Sequence, residues 1–481
     1  MNFCRAIAMW FVLSSIAWPQ QPSDLKPVTD QLGASVFNGP SMATLQELAD
    51  GIGGRLTGSP AYVQATDWAT AKFRSYGIES VRLEPFTIDA GWQRGAASGS
   101  ILAPVARPLR LASIGWSPST PPAGVQGSVV LVADLTPPAM KSDEELKGKI
   151  VFLDTFKIYA DGFGKALPRM QAAMKTFQRA GVLAVLTPDR ERNNVLNAHG
   201  IGWGTKLLPL PAAEVGMEDA KFIQRELEHG PVSVQLTLDN KTSGETKVNN
   251  VVAEIRGSDR PNEWILIGAH LDSWDFGTGA QDNGTGSASV LEVARAIASL
   301  GKPPRRTIRF ALWGGEEQGL IGSYAYTQAH MSELANCIAV LNTDNGSGHP
   351  KGWKVEGRED LKKAMQPWSD SLLKNIGGAD ISLETSYDTD HGPFMLQGIP
   401  ALDLWVDMSK YGEIHHKSSD TFDKVDTLDF KGGEAIVAVT AWIIAQSDMA
   451  IAPHIDHQAV GEIIKKAKLE DMLTNVGVWK P

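Results

Sequence analysis

Residues able to do chemistry recur at the ends of apolar runs. WILIGAH ends in His270, with Asp272 two residues on, and a glycine-rich loop then presents Asp282 just before a helical pattern. TIRFALW leads into a turn holding Glu316 and Glu317, AVLNTD ends at Asp344, and PALDLWVD is followed by HHKSSDT, which contains His415, His416 and Asp420. Gathered in one place, Asp282, Glu316, Glu317 and Asp344 would repel one another unless a cation sat among them. Imidazole and carboxylate without thiolate suit a divalent ion such as zinc, with manganese or cobalt as further choices. There are enough ligands for two ions sharing one carboxylate. Such a pair, about 3.5–4 Å apart, polarises a carbonyl and lowers the pKa of a shared water, leaving one carboxylate to move the proton.

Taken singly, each residue has a local explanation. Asp282 in DNGTGS would cap a helix, the Glu316–Glu317 pair would suit a helix start, and a histidine pair in a loop is ordinarily exposed. What local structure does not require is their common position. The runs that precede them are β-branched and of buried-strand length, and open α/β sheets place their ligand crevice beyond the carboxyl ends of such strands.

The elements that must hold these residues form an α/β pattern. From Ser41 to Phe86 the chain reads helix, glycine-rich turn (GGRLTGSP), helix and strand. DAGWQRGAASGS then reads as a loop, and short β-rich runs follow with a helix around PRMQAAMKTFQRAG. DNKTSGETKVNN lacks apolar periodicity and reads as a linker. Strands and helices alternate again after Asn250, ending with the helix GGEAIVAVTAWIIAQS. The expected organisation is one α/β domain, in parts 41–88 and 246–450, interrupted by a β-rich insertion over 89–245 and followed by a tail, 451–481.

The 481 residues, 43% hydrophobic and 21% charged, describe a globular chain large enough for two or three domains. A net charge of −10 gives no attraction to nucleic acid or to an anionic membrane surface. MNFCR followed by AIAMWFVLSSIA reads as a secretory signal peptide over residues 1–17, its apolar run too short to span a bilayer. Cleavage would leave Cys337 alone, in a secreted or periplasmic protein without a membrane anchor.

In their order, GAHLDS, AQDNGTGSA, WGGEEQGLIGS, LNTDNG and HHKSSDT resemble the M28 family of co-catalytic zinc exopeptidases, and most of all its carboxypeptidase Q-like branch. GGRLTGSPAY is similar to that family's N-terminal segment, and the insertion resembles a protease-associated domain. The resemblance implies a three-layer α/β/α zinc-exopeptidase domain with a mixed central sheet. It further implies a peptide substrate, two divalent ions, most simply zinc, and hydrolysis of dipeptides or short peptides by metal-activated water. A homodimer is compatible with it.

By the same resemblance, His270 and Asp344 are terminal ligands of one ion, Glu317 and His416 of the other, and Asp282 bridges them. Glu316 matches the general base, and Asp272 matches a carboxylate that orients the His270 ring. His416 is preferred to His415 because the family's ligand precedes an acidic residue by four positions, here Asp420. His415 then stands where it could donate to a developing oxyanion. DTDHGPF, with Asp390 and His391, is similar to a segment near the family's substrate pocket, although Thr389 replaces its serine. Trp274, Trp313 and Trp405 flank the motifs as wall or core. The rival readings are an aminopeptidase of longer peptides, a receptor-like scaffold and a one-zinc glutaminyl cyclase, but the full set of metal ligands speaks against the last two. No G-x-S-x-G and no H-E-x-x-H occurs.

Overall fold

The computed structural model describes residues 22–137 and 139–481. The signal peptide expected over 1–17 lies outside the described residues. Two eight-stranded sheets organise the chain.

The first sheet runs, edge to edge, 81–88, 246–255, 306–313, 260–270, 337–342, 401–406, 350–354 and 380–382. Its four central strands are parallel, with His270 paired to Trp313 and Gly268 to Asn342. Antiparallel strands flank them on both sides, so the sheet is mixed. Period-2 alternation buries both faces. Ile265, Ile267 and Ala269 pack with the helices Pro60–Ser75, Thr285–Ala298 and Thr427–Gln446, while Trp264 and Leu266 point the other way, toward Tyr326 and Phe394. The result is a helix–sheet–helix sandwich. Among the described residues no helix is long and apolar enough to cross a membrane.

The second sheet is built from residues between Trp92 and Thr242, in the order 107–108, 92–103, 233–242, 125–132, 150–153, 184–188, 212–215 and 111–113. Strands 125–132, 150–153, 184–188 and 212–215 are parallel, and the helices Phe163–Ala180 and Met217–His229 cover opposite faces.

Two segments depart from the sequence-based expectation. Residues 92–100, read as loop, belong to strand 92–103, the longest among the described residues, which runs antiparallel to 233–242. Their small side chains answer close packing instead of marking a turn. A methyl at Gly95 would lie 1.4 Å from the Asp239 carbonyl oxygen, and one at Gly99 would lie 2.5 Å from Leu111. Residues 239–250, read as a linker, are the end of strand 233–242, a short turn and the start of strand 246–255, two strands that belong to different sheets. Ser243 N–H donates to the Gly91 carbonyl at the junction, so the two sheets are joined by paired chain crossings.

Candidate metal centre

The parallel strands deliver their polar residues to one edge. Strand 260–270 ends in His270, Glu316 and Glu317 follow strand 306–313, Asp344 follows strand 337–342, and His415 and His416 lie in the loop after strand 401–406. Asp282 arrives on the turn before helix Thr285–Ala298.

Asp282 sits at the centre. Its Oδ1 is 3.3 Å from His270 Nε2 and its Oδ2 is 3.4 Å from His416 Nε2. On the first side, Asp344 Oδ2 lies 3.5 Å and Glu316 Oε2 3.8 Å from His270 Nε2. On the second, Glu317 Oε2 lies 2.9 Å from His416 Nε2. His415 stacks on His416 with ring centres 3.7 Å apart, and its Nε2 is 3.6 Å from Asp282 Oδ2. Both imidazoles therefore reach Asp282. His416 also closes on Glu317, and it does so from a left-handed backbone (φ 60°) that a side-chain-bearing residue adopts at a cost. The Ala198 N–H donates to its carbonyl at 2.8 Å and supports that conformation.

The donor set fits a metal. His270 Nε2 and Asp282 Oδ2 are buried and lack any hydrogen-bond partner among the described residues, a costly arrangement unless something else meets them. Separations near 3.3 Å match the donor–donor edge of a tetrahedron whose metal–ligand distance is about 2.0–2.1 Å. His270 Nδ1 donates to the Asp272 carbonyl at 2.9 Å, which fixes the tautomer with the Nε2 lone pair facing Asp282. The ring is thus oriented by the main chain of Asp272. The Asp272 carboxylate stands 3.7 Å away and accepts instead from Thr57 Oγ1 (2.8 Å) and Glu316 N–H (3.3 Å).

Electrostatics agree. Burial pushes Glu316 and Glu317 well above the usual carboxylate range, and the neighbouring carboxylates push the same way against His270. Burial would also raise Asp282, but the imidazoles of His270, His415 and His416 packed around it hold it well below. Burial lowers His415 and His416, keeping their lone pairs available. The cluster carries more carboxylates than the imidazoles can neutralise, the condition under which a dication is bound.

Several residues that sequence reasoning left unassigned hold this edge together. Asp420 accepts the N–H groups of Gln281 (2.7 Å) and Asp282 (3.1 Å) through its two oxygens. Arg55, fully buried, donates to the carbonyls of Leu271, Thr278 and Gly279 and so ties down the loop before Asp282. Thr57 accepts the Gly315 N–H at 2.8 Å while donating to Asp272, joining the His270 strand end to the Glu316 turn. The only signals for them were GGRLTGSP and the last residues of HHKSSDT.

A cleft of about 550 Å³ opens over the cluster. Asp388 and Thr389 line it, whereas Asp390 and His391 lie beneath the wall at 1% and 0% exposure. Burial lifts Asp390 to about 7, and Glu356 overcomes burial to lift His391 to about 10. Trp274 and Trp313 are buried and Trp405 half-buried, and the tryptophan that lines the cleft is Trp203, from the second sheet's connections.

Residues 250–440 match the model of peptidase family M28. Carboxypeptidase Q of Bos taurus is 32% identical over 408 residues, 84% of this chain and 85% of that protein. Among solved structures, a peptidase M28 precursor from Shewanella amazonensis SB2B superposes with a TM-score of 0.78 at 30% identity, covering 91% of this chain and all (100%) of that one. An aminopeptidase from Aneurinibacillus sp. strain AM-1 shares the fold, with a TM-score of 0.66 at 22% identity over 90% of this chain and 99% of its own. With the relative's identity extending over most of both chains, the protein belongs to peptidase family M28 and is a metallo-exopeptidase.

Proposed function

We propose that the protein is an exported di-zinc exopeptidase that hydrolyses dipeptides or short peptides. His270 and Asp344 would complete the ligand set of one ion, Glu317 and His416 that of the other, and Asp282 would be shared. The observation that carries this reading is the division of the Asp282 carboxylate, one oxygen toward each histidine. The region 89–245 is taken as a protease-associated-type insertion, and 1–17 as the export signal.

Two bound dications would supply Lewis acidity to the scissile carbonyl and acidify the attacking water. The chain's own groups do the rest. Glu316, at the mouth of the cluster with its side chain 10% exposed, takes the water proton and returns it to the leaving amine. Burial of its carboxyl favours the protonated form that must persist between those two transfers. Asp272 orients His270, and His415 faces the cleft, from where it donates to the developing oxyanion.

Metal analysis of the purified protein, with dipeptide hydrolysis measured before chelation, after it and after zinc return, tests the reading. Two ions per chain and zinc-restored activity are expected. Full activity in metal-free protein, or two retained ions in Asp282→Asn, would refute it. A panel of free, N-blocked and C-amidated dipeptides then reports which terminus is read.

A further inference from the structure

The second sheet has a crevice of its own. A cavity of about 400 Å³ opens beyond the carboxyl ends of the parallel strands 150–153 and 184–188, bounded by Thr155, Thr187 and the loop after it. This is where parallel sheets bind ligands. One wall is apolar: Tyr159 and Phe163 stack with ring centres 6.0 Å apart and planes within 8°.

The other wall is polar, formed by Thr187, Asp189, Arg190, Glu191 and Asn197. Asp189 is satisfied, accepting the Glu191 and Asn197 N–H groups at 2.7 Å each. Glu191 pairs with Lys417 at 3.1 Å. Arg190 has no carboxylate within ion-pair distance among the described residues, and its guanidinium lies 5.5 Å over the Tyr159 ring. Thr187, 1% exposed, borders the same space with a hydroxyl that has no hydrogen-bond partner among the described residues. The site therefore offers one uncommitted cation, one uncommitted buried hydroxyl and a flat apolar surface. A planar carboxylate attached to an apolar or aromatic group satisfies all three, because guanidinium and carboxylate pair in a two-pronged geometry.

The same loop touches the turns that carry His415, His416 and Glu317. Asn197 Nδ2 donates to the His415 carbonyl at 3.2 Å, Ala198 N–H to that of His416 at 2.8 Å, and Gly204 N–H to that of Gln318 at 2.6 Å. Trp203 stands between the two cavities, lining the catalytic cleft with its ring centre 6.4 Å from that of Phe163.

We propose that this cavity is a second, non-catalytic binding site for the free carboxylate of an apolar or aromatic residue, from a released amino acid or from the end of a peptide chain. The inference does not depend on how the metal centre works. Calorimetric titration of the full-length, metal-loaded protein tests it, using N-acetyl-L-phenylalanine, its amide, free L-phenylalanine and inorganic phosphate, with and without chelator, on parent, Arg190→Gln and Tyr159→Ala.

Saturable binding of N-acetyl-L-phenylalanine or free L-phenylalanine is expected, with the amide and phosphate at least about tenfold weaker. Arg190→Gln should weaken the acid by a similar factor while leaving dipeptide hydrolysis unchanged, and chelation should leave binding intact. Tighter binding of the free amino acid would identify a reaction product as the source, and tighter binding of the blocked acid a chain terminus. Absence of saturation at millimolar acid, equal binding of acid and amide, equal binding of phosphate, or undiminished binding in Arg190→Gln overturns the proposal. Binding abolished by chelation places the ligand in the catalytic cleft and overturns it too.

Discussion

Asp420→Asn isolates how the Asp282 carboxylate is held. In the parent, each Asp420 oxygen accepts one buried main-chain N–H, from Gln281 and from Asp282. Asparagine has nearly the same shape but a single acceptor, so one N–H would face an amide NH₂ across about 3 Å. Burial lifts Asp420 to about 7, so each bond contributes between the about 0.5–1.5 kcal/mol of a neutral acceptor and the about 1.5–3 kcal/mol of a charged one, and a buried donor left unmet costs about 1–3 kcal/mol. The turn can relax to relieve part of this, and relaxation moves Asp282. Residues that orient a metal ligand typically change affinity by about 10–100-fold when altered. The assay is a competition titration of zinc against a chromophoric chelator, paired with steady-state kinetics at saturating zinc. Weaker zinc binding with most of kcat recovered at saturation is the expected result. Zinc affinity within about twofold of the parent would show that Asp282 holds its place without Asp420, and the reasoning would be wrong.

Glu316→Gln should keep its metal content while kcat/KM falls by about 10²–10⁴, and a fully active variant would remove Glu316 from the proton path. Trp203→Ala should raise KM about tenfold or more for peptides with large apolar side chains, leaving glycylglycine unaffected, as measured by parallel initial-rate series. His330 Nε2 lies 2.9 Å from Glu84 Oε2, and this hydrogen bond is the main reason that the His330 pKa is raised. For Glu84, burial pushes upward but the His330 bond prevails and lowers it. The His330 contribution is complete below its unfolded value near 6.5 and fades as pH rises through the raised folded value. The Glu84 contribution is present above its unfolded value near 4.5 and is lost as pH falls through the depressed one. Urea unfolding of parent and His330→Gln should therefore differ by about 1 kcal/mol near pH 5.5–6, with the gap narrowing on both sides. A gap independent of pH would mean that stacking on the Tyr326 ring, whose centre lies 4.2 Å from that of His330, is what the variant lost, not charge.

Much of the centre is local information. His270, Glu316, Glu317 and Asp344 were legible because each ends or directly follows a buried strand, and a run of β-branched apolar residues announces that strand without reference to the rest of the chain. Parallel alignment then brings the ends together, as the His270–Trp313 register shows. Where neighbours, and not propensity, decide, the sequence was silent or misleading. Residues 95–100 carry small side chains of weak strand preference, and they extend because strand 233–242 pairs with them and leaves Gly95 and Gly99 no room for more.

The same division runs through the site itself. Residue types and spacing determined that an imidazole–carboxylate cluster would meet at a sheet edge. Only the folded chain decided that the Asp272 carbonyl holds His270, that Asp420 and Thr57 brace the turns, and that Trp203 reaches the cleft from the other sheet. The physical reason is range. Strand formation and burial patterns act over a few residues, whereas a hydrogen bond between positions 138 apart, as for Asp282 and Asp420, exists only after every intervening turn has been placed.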